Sequence, residues 1–323
     1  MITLMSTLIS SLKLWCGNQS ILIFLSVIAF VRSADSDALS YPDSVHWMET
    51  LFHLGFAVAI SCSYVTLIHA FDYNGVDRND PISIKRRFVA VVVNNISGIG
   101  ITYFILKRRM ASPFVAMGFH LSGFMFALIL PSLLTSVIYF GSLFSLCLER
   151  SLRIKSLLDL WHQSSDLIWI RNVIMAPLTE EIAFRACTAT LIRQCFSPNQ
   201  TMFLAPLPFA LSHLHHIPDD MRKGASKNEA VLYRVFQLSY VYLFGVYATF
   251  LFVRTGHIIT PILSHAICNM MGLPYFDCSH DCLSYPKRLL ILVVHVVGFV
   301  VWIVLLYPIT DPVLYSEQLV FSS

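Results

Sequence analysis

The sequence predicts an all-α, polytopic integral membrane protein, and three observations carry that prediction. First, 56% of its 323 residues are hydrophobic and only 13% are charged, whereas soluble globular chains average about 45–50% apolar and about 25% charged residues. Second, the mean hydropathy is +0.67. Third, strongly apolar windows recur near 48–70, 88–106, 114–147, 200–213, 233–253, 258–273 and 289–309, with a further one in the opening stretch. A bilayer core about 30 Å thick is crossed by about 20 apolar helical residues, because each backbone amide there must find its partner within its own helix.

Taken in order, residues 1–46 form an N-terminal extension. Its apolar run "ILIFLSVIAFV" at 21–31 is short for a span and suits the hydrophobic region of a signal peptide or a signal anchor. Residues 47–315 form the transmembrane core, and 316–323 a C-terminal tail. "IKRRF" at 84–88 and "KRRM" at 107–110 bracket one span, so the positive-inside rule pulls both of its ends the same way and does not orient it. The segment 151–174 carries apolar residues at helical spacing with charges between them, as in an amphipathic helix lying in the interface before the next span. A polar loop, "HIPDDMRKGASKNEA" at 216–230, separates two chemically loaded segments. The net charge of +3 sits in short clusters beside spans, and without a long basic tract no nucleic-acid partner is expected. Cysteines such as Cys62, Cys147 and Cys268 read as small buried hydrophobes. "DCSHDC" at 277–282 differs, since Cys278, His280 and Cys282 could form a disulfide or a metal clip.

Function is to be sought where polar residues interrupt the apolar pattern. "APLTEEIAFRAC" at 176–187 places two carboxylates and a guanidinium in an apolar segment, at a cost of about 2.5–3.5 kcal/mol per unpartnered charge at a helix centre. On a helix, Glu181 and Arg185 stand at i,i+4 and meet, while Glu180 points about 100° away and is left for another role. Pro177 and Thr179 suggest a helix start or kink at this point. The apolar segment 206–218 carries His213 four residues after Phe209, and in 260–272 His265 and Asn269 again share a face. Each residue alone suits helix-to-helix hydrogen bonding. Together they predict a polar cavity inside the membrane.

The chemistry of such a cavity is narrowed by what is missing. There is no G-x-S-x-G nucleophile elbow and no H-E-x-x-H metal motif. A carboxylate with a histidine can instead deprotonate water directly, and a second histidine with an amide can donate hydrogen bonds to the developing oxyanion. A zinc peptidase using Glu180, His213 and His265 is an alternative, and a non-catalytic transporter or scaffold lined by these charges is another.

The motifs "EEIAFR", "FALSH" and "HAICN", in that order, resemble those of the type II CAAX prenyl proteases within the CPBP/abortive-infection intramembrane protease group. The flanks "RNVIMAPLTEEIAFRAC", "SHLHHI", "RTGHIITPILSHAICNMMG" and "PITDPVLY" extend the likeness over about residues 47–315. The resemblance implies a bundle of about eight transmembrane helices in the endoplasmic reticulum. It also implies an enzyme that removes the last three residues of farnesylated or geranylgeranylated CaaX proteins, Ras-type small GTPases among them, without a cofactor. By the same resemblance Glu180 and His213 activate water, His265 and Asn269 form the oxyanion hole, and Glu181, Arg185 and Phe209 orient the site.

Overall fold

The computed structural model describes residues 43–74, 77–148, 166–212, 217–222, 224, 226–272 and 285–315, and every regular element among them is helical. The signal-like run at 21–31, the amphipathic stretch over 151–165, the cluster Cys278/His280/Cys282 and the tail at 316–323 lie outside the described residues. The helices are α1 (Asp43–Phe71), α2 (Pro81–Leu106), α3 (Pro113–Ala116), α4 (Phe124–Ile138), α5 (Phe140–Leu148), α6 (a helical run beginning at Leu167 and ending at Arg193), α7 (Pro198–Leu204), α8 (Pro206–Ser212), α9 (Ile217–Arg222), α10 (Lys227–Thr255), α11 (Ile259–Met271) and α12 (Tyr285–Ile309). Among the described residues four helices are long and apolar enough to cross a membrane, namely Trp47–Phe71, Pro81–Leu106, Lys227–Thr255 and Pro286–Ile309, and α4 and α11 are shorter apolar helices. The chain is a multi-pass membrane protein.

The described residues divide into two compact units, the first formed by those up to 65 with those of 187–249, the second by those of 66–186 with those from 250 onward. In the first, Ser61 on α1 donates to the Ala57 carbonyl at 2.8 Å and lies 3.1 Å from the Thr188 hydroxyl. These are polar groups satisfied inside the protein where lipid would leave them bare. α7 starts in a capping box. Ser197 Oγ accepts from Gln200 N at 3.3 Å, and the Gln200 side chain accepts from Ser197 N at 2.9 Å. The apolar window 200–213 is broken between α7 and α8, where Pro206 and Pro208 withhold two backbone donors. The polar segment read as a loop contains α9, and its Asp220 takes a two-pronged hydrogen bond from Arg234 of α10 at 2.5 and 2.6 Å.

In the second unit α2 begins at Asp80, whose carboxylate accepts from Ile82 N and Ser83 N with Pro81 in the first helical position. Asp72 is held at this end by Ser83 Oγ at 2.8 Å and Arg87 Nε at 2.7 Å. The apolar window 114–147 is divided into α3, α4 and α5. Gly118 and Gly123 have φ of +82° and +66°, and a Cβ on Gly123 would stand 1.9 Å from the Tyr315 carbonyl oxygen. Only glycine fits there, and the chain turns instead of continuing. Along this window Phe114, Met125 and Phe126 are exposed while Met117 is buried. α4 packs against α11 and α12. Thr135 donates to Ser264 Oγ at 2.9 Å, and the Tyr139 hydroxyl donates to the Gly272 carbonyl at 2.9 Å.

The cysteines depart from the expectation of burial. Cys62 and Cys147 are exposed, Cys268 is half-buried and Cys187 is buried. On a membrane helix a weakly polar thiol reaches an apolar medium by facing lipid, so leaving water does not require burial in protein.

Candidate active site

The site is built on α6, which is not a regular α-helix. It begins at Asp166, whose carboxylate accepts from Ile168 N at 2.9 Å. It then alternates: π-helical over Ile170–Met175, α-helical over Ala176–Glu181, π-helical over Ile182–Ala189, and α-helical again over Thr190–Arg193. Pro177 sits in the first turn of the α segment that begins at Ala176, inside a helical run that extends to both sides. Its effect is on hydrogen-bond register. The Ala176 amide donates to the carbonyl of Arg171, five residues back, and in the same register the carbonyl of Asn172 would await the amide of residue 177. Proline has none. The orphaned Asn172 carbonyl is taken instead by Asn269 of α11, whose Nδ2 donates to it at 2.8 Å. Local π geometry of this kind is often found at functional sites.

Two turns further along, the carboxylates meet α11 again. Glu181 is completely buried, and one of its oxygens, Oε1, accepts from Arg185 Nη1 at 3.0 Å and lies 2.7 Å from His265 Nδ1. A carboxylate oxygen accepts and does not donate, so Nδ1 carries the hydrogen. The other ring nitrogen of His265, Nε2, faces Glu180 Oε2 at 3.9 Å, and the Glu180 side chain keeps 21% of its exposure. Neighbouring carboxylates thus differ in kind. Glu181 is held between a guanidinium and an imidazole ring in the protein interior, whereas Glu180 keeps open surface and a single long contact to the histidine ring. α2 steadies the turn that carries them, since Asn95 Nδ2 donates to the Thr179 carbonyl at 3.0 Å.

Of the residues singled out from sequence, Glu180, Glu181, Arg185 and His265 come together, and Asn269 stands one turn from His265 on α11. Phe209 belongs to the first unit and is buried. His213 lies outside the described residues. Among the described residues no three His, Cys, Asp or Glu side chains are grouped to hold a metal ion. Asn172 and Asn95 were not singled out from the sequence. The signals were present: a proline five residues after Asn172 inside a helical pattern, and the pair Asn94–Asn95 in an otherwise apolar span.

Comparison with known proteins supplies the family. The family described as "Type II CAAX prenyl endopeptidase Rce1-like" matches residues 162–271. CAAX prenyl protease 2 of Caenorhabditis elegans is 39% identical over 263 residues, which cover 78% of this chain and 95% of that protein. The chain belongs to the type II CAAX prenyl endopeptidase family. CAAX prenyl protease 2 of Homo sapiens is 35% identical over 80% of this chain and 82% of its own length, and that of Arabidopsis thaliana is 33% identical over 72% and 80%. No solved structure matches the chain. The region matched to the prenyl endopeptidase family runs from just before α6 to the last residue of α11, and so contains both helices that carry the Glu180/Glu181/Arg185/His265 group.

Proposed function

We propose that this prenyl endopeptidase removes the C-terminal aaX tripeptide of farnesylated or geranylgeranylated CaaX proteins by direct attack of an activated water, with no covalent intermediate. Glu180 is the general base, assisted by His213, and Ras-type small GTPases in the endoplasmic reticulum membrane are the expected substrates. The observation that carries the reading is the contrast between the neighbouring carboxylates. A base must reach its water, and Glu180 retains open surface while Glu181 has none.

The surrounding groups then take complementary parts. With Nδ1–H of His265 directed to Glu181, Nε2 donates a hydrogen bond only when the ring is an imidazolium. Two carboxylates, one guanidinium and one imidazolium sum to zero charge, a balance suited to a buried polar group. His265 in that state and the amide of Asn269 are the oxyanion donors. Asn269 Nδ2 has two hydrogens; one is held by the Asn172 carbonyl, which fixes the amide plane and leaves the other for the tetrahedral intermediate. Glu181 and Arg185 act through His265 as positioning residues.

The prenyl chain explains why this chemistry is placed in a membrane. Each CH₂ moved out of water contributes about 0.8 kcal/mol, so the lipid draws the scissile bond to the depth of the site. The test is to compare kcat/KM for a farnesylated CaaX peptide and its free-thiol counterpart, with the enzyme in the same bilayer and product identified by mass spectrometry. The expected result is intact tripeptide release, with the free thiol slower by more than about a hundredfold. Equal values would point to a peptidase that takes its substrate from water.

A further inference from the structure

The two carboxylates of the site are held in different ways. Glu181 is fixed by its own side chain, through Arg185 and His265, whereas the Glu180 side chain makes no hydrogen bond among the described residues and has its one ion-pair contact to His265 Nε2 at 3.9 Å. Where the Glu180 carboxylate points is therefore set by the backbone that carries it. That backbone belongs to the six-residue α segment Ala176–Glu181, with π-helical turns before and after it. The far change of register shows at Ile182, whose amide is shared between the carbonyls of Leu178 and Thr179. A segment of about one and a half turns between two changes of register takes its orientation from whatever grips it.

Two asparagines from different helices supply that grip, one on each side of Pro177. Asn269 of α11 takes the Asn172 carbonyl at 2.8 Å, and Asn95 of α2 donates Nδ2 to the Thr179 carbonyl at 3.0 Å, one residue before Glu180. α2 packs against this part of α6. Asn95 is 6% exposed and stands in an apolar span, where a polar side chain is expensive. Its bond to Thr179 uses the amide nitrogen alone. Asn95 Oδ1 is buried and has no hydrogen-bond partner among the described residues, a loss of stability that a leucine of similar size would avoid. We propose that Asn95 is the positioning residue of Glu180, fixing through the Thr179 carbonyl the stretch of backbone from which the base reaches its water. The proposal rests on Glu180 being the general base. A shift of this backbone displaces the carboxylate from the water and from His265 together, and misplacement by about 1 Å at a reacting group costs about a hundredfold in rate.

The experiment is a double-mutant cycle on the full-length enzyme in bilayers, with a farnesylated CaaX peptide followed under single-turnover and steady-state conditions. Asn95→Leu removes the donor at similar size and should lower kcat by about tenfold to a hundredfold with KM little changed. Its thermal unfolding midpoint should not fall, because the unpartnered acceptor goes with the donor. Asn95→Ala, which adds no new bulk, should show the same loss of kcat. In a Glu180→Gln background Asn95→Leu should cost nothing further, since a residue that acts by aiming the base has nothing left to aim. An equal loss in both backgrounds would overturn the proposal, and so would an unchanged kcat in both Asn95 variants or a rise in KM at constant kcat. The parent reading fails separately: if Glu180→Gln alone keeps near-normal turnover, the general base is elsewhere whatever the Asn95 variants show.

Discussion

α12 and the part of α6 up to Ala186 belong to the second unit, and they show opposite ways of living in a membrane. Beyond Lys287 and Arg288 in its first turn α12 is almost wholly apolar, with a mean hydropathy of 3.1 and only 17% of its apolar stretch buried within the protein. Its one histidine, His295, turns Nδ1 to the Ile291 carbonyl at 2.9 Å and packs over Gly141, where any Cβ would collide with the ring. α6 is interrupted by two π segments, has a proline in between, and carries four ionisable side chains from Arg171 to Arg185. A helix that only spans can be regular. A helix that must offer carbonyls and charges to a neighbour gives up regular hydrogen bonding, and the partner helix α11 supplies what the backbone has lost.

The largest effect expected from breaking that contrast is at Glu180. Glu180→Gln should lower kcat by about 10²–10⁴ while leaving the thermal unfolding midpoint in detergent unchanged, because the amide keeps the shape and loses the base. A variant with near-normal turnover would remove Glu180 from the role of base. Arg185 should behave in the opposite way, since its loss strands the buried Glu181 carboxylate. Arg185→Met is expected to cost about 3–5 kcal/mol of stability. The double variant Glu181→Leu/Arg185→Met should recover much of that midpoint and remain inactive, because His265 has lost its anchor; recovery of turnover as well would show that the ion pair serves stability alone.

Asn269→Ala should reduce kcat by about 10²–10³ with little change in KM, the signature of a donor used in the transition state. A rise in KM at constant kcat would mean that Asn269 holds substrate instead. The smallest effect is expected at Pro177. Pro177→Ala returns an amide hydrogen that can satisfy the Asn172 carbonyl, a bond of about 1 kcal/mol, and so frees Asn269 from the partner that orients it. Steady-state kinetics should show kcat falling severalfold with folding intact. An unchanged kcat would show that the bond between Asn269 and Asn172 is incidental.

Much of this was legible in the residues. Composition and apolar windows settle a polytopic helical membrane protein because a bilayer admits few other solutions for the backbone. The i,i+4 spacing of Glu181 with Arg185 and of His265 with Asn269 foretold shared faces because helix geometry is local. Three features were not legible. The window 114–147 reads as one long apolar stretch, yet the glycines at 118 and 123 turn the chain because of what they meet in Ile258 and Tyr315, neighbours far away in sequence. The polar stretch at 216–230 hides α9, which is tied down by Arg234 of the next helix. Pro177 read as a helix start or kink, and the structure adds that the change from π to α register falls beside it.

What the sequence by itself determined is therefore the class of the protein, the identity of the charged residues and which of them share a helical face, since all of these follow from local geometry and from the intolerance of lipid for bare polar groups. What only the tertiary structure decided is how the two carboxylates meet the helix that faces them. Glu180 and Glu181 are the same residue type side by side; the i,i+4 spacing pairs Glu181 with Arg185 and sets Glu180 apart, but nothing local fixes how closely each meets His265. The difference arises because α11 brings His265 against Glu181 at 2.7 Å and leaves Glu180 at 3.9 Å from the same ring. Burial and hydrogen bonding of an ionised group are properties of the packed neighbours, so identical side chains acquire different chemistry from the helix that faces them.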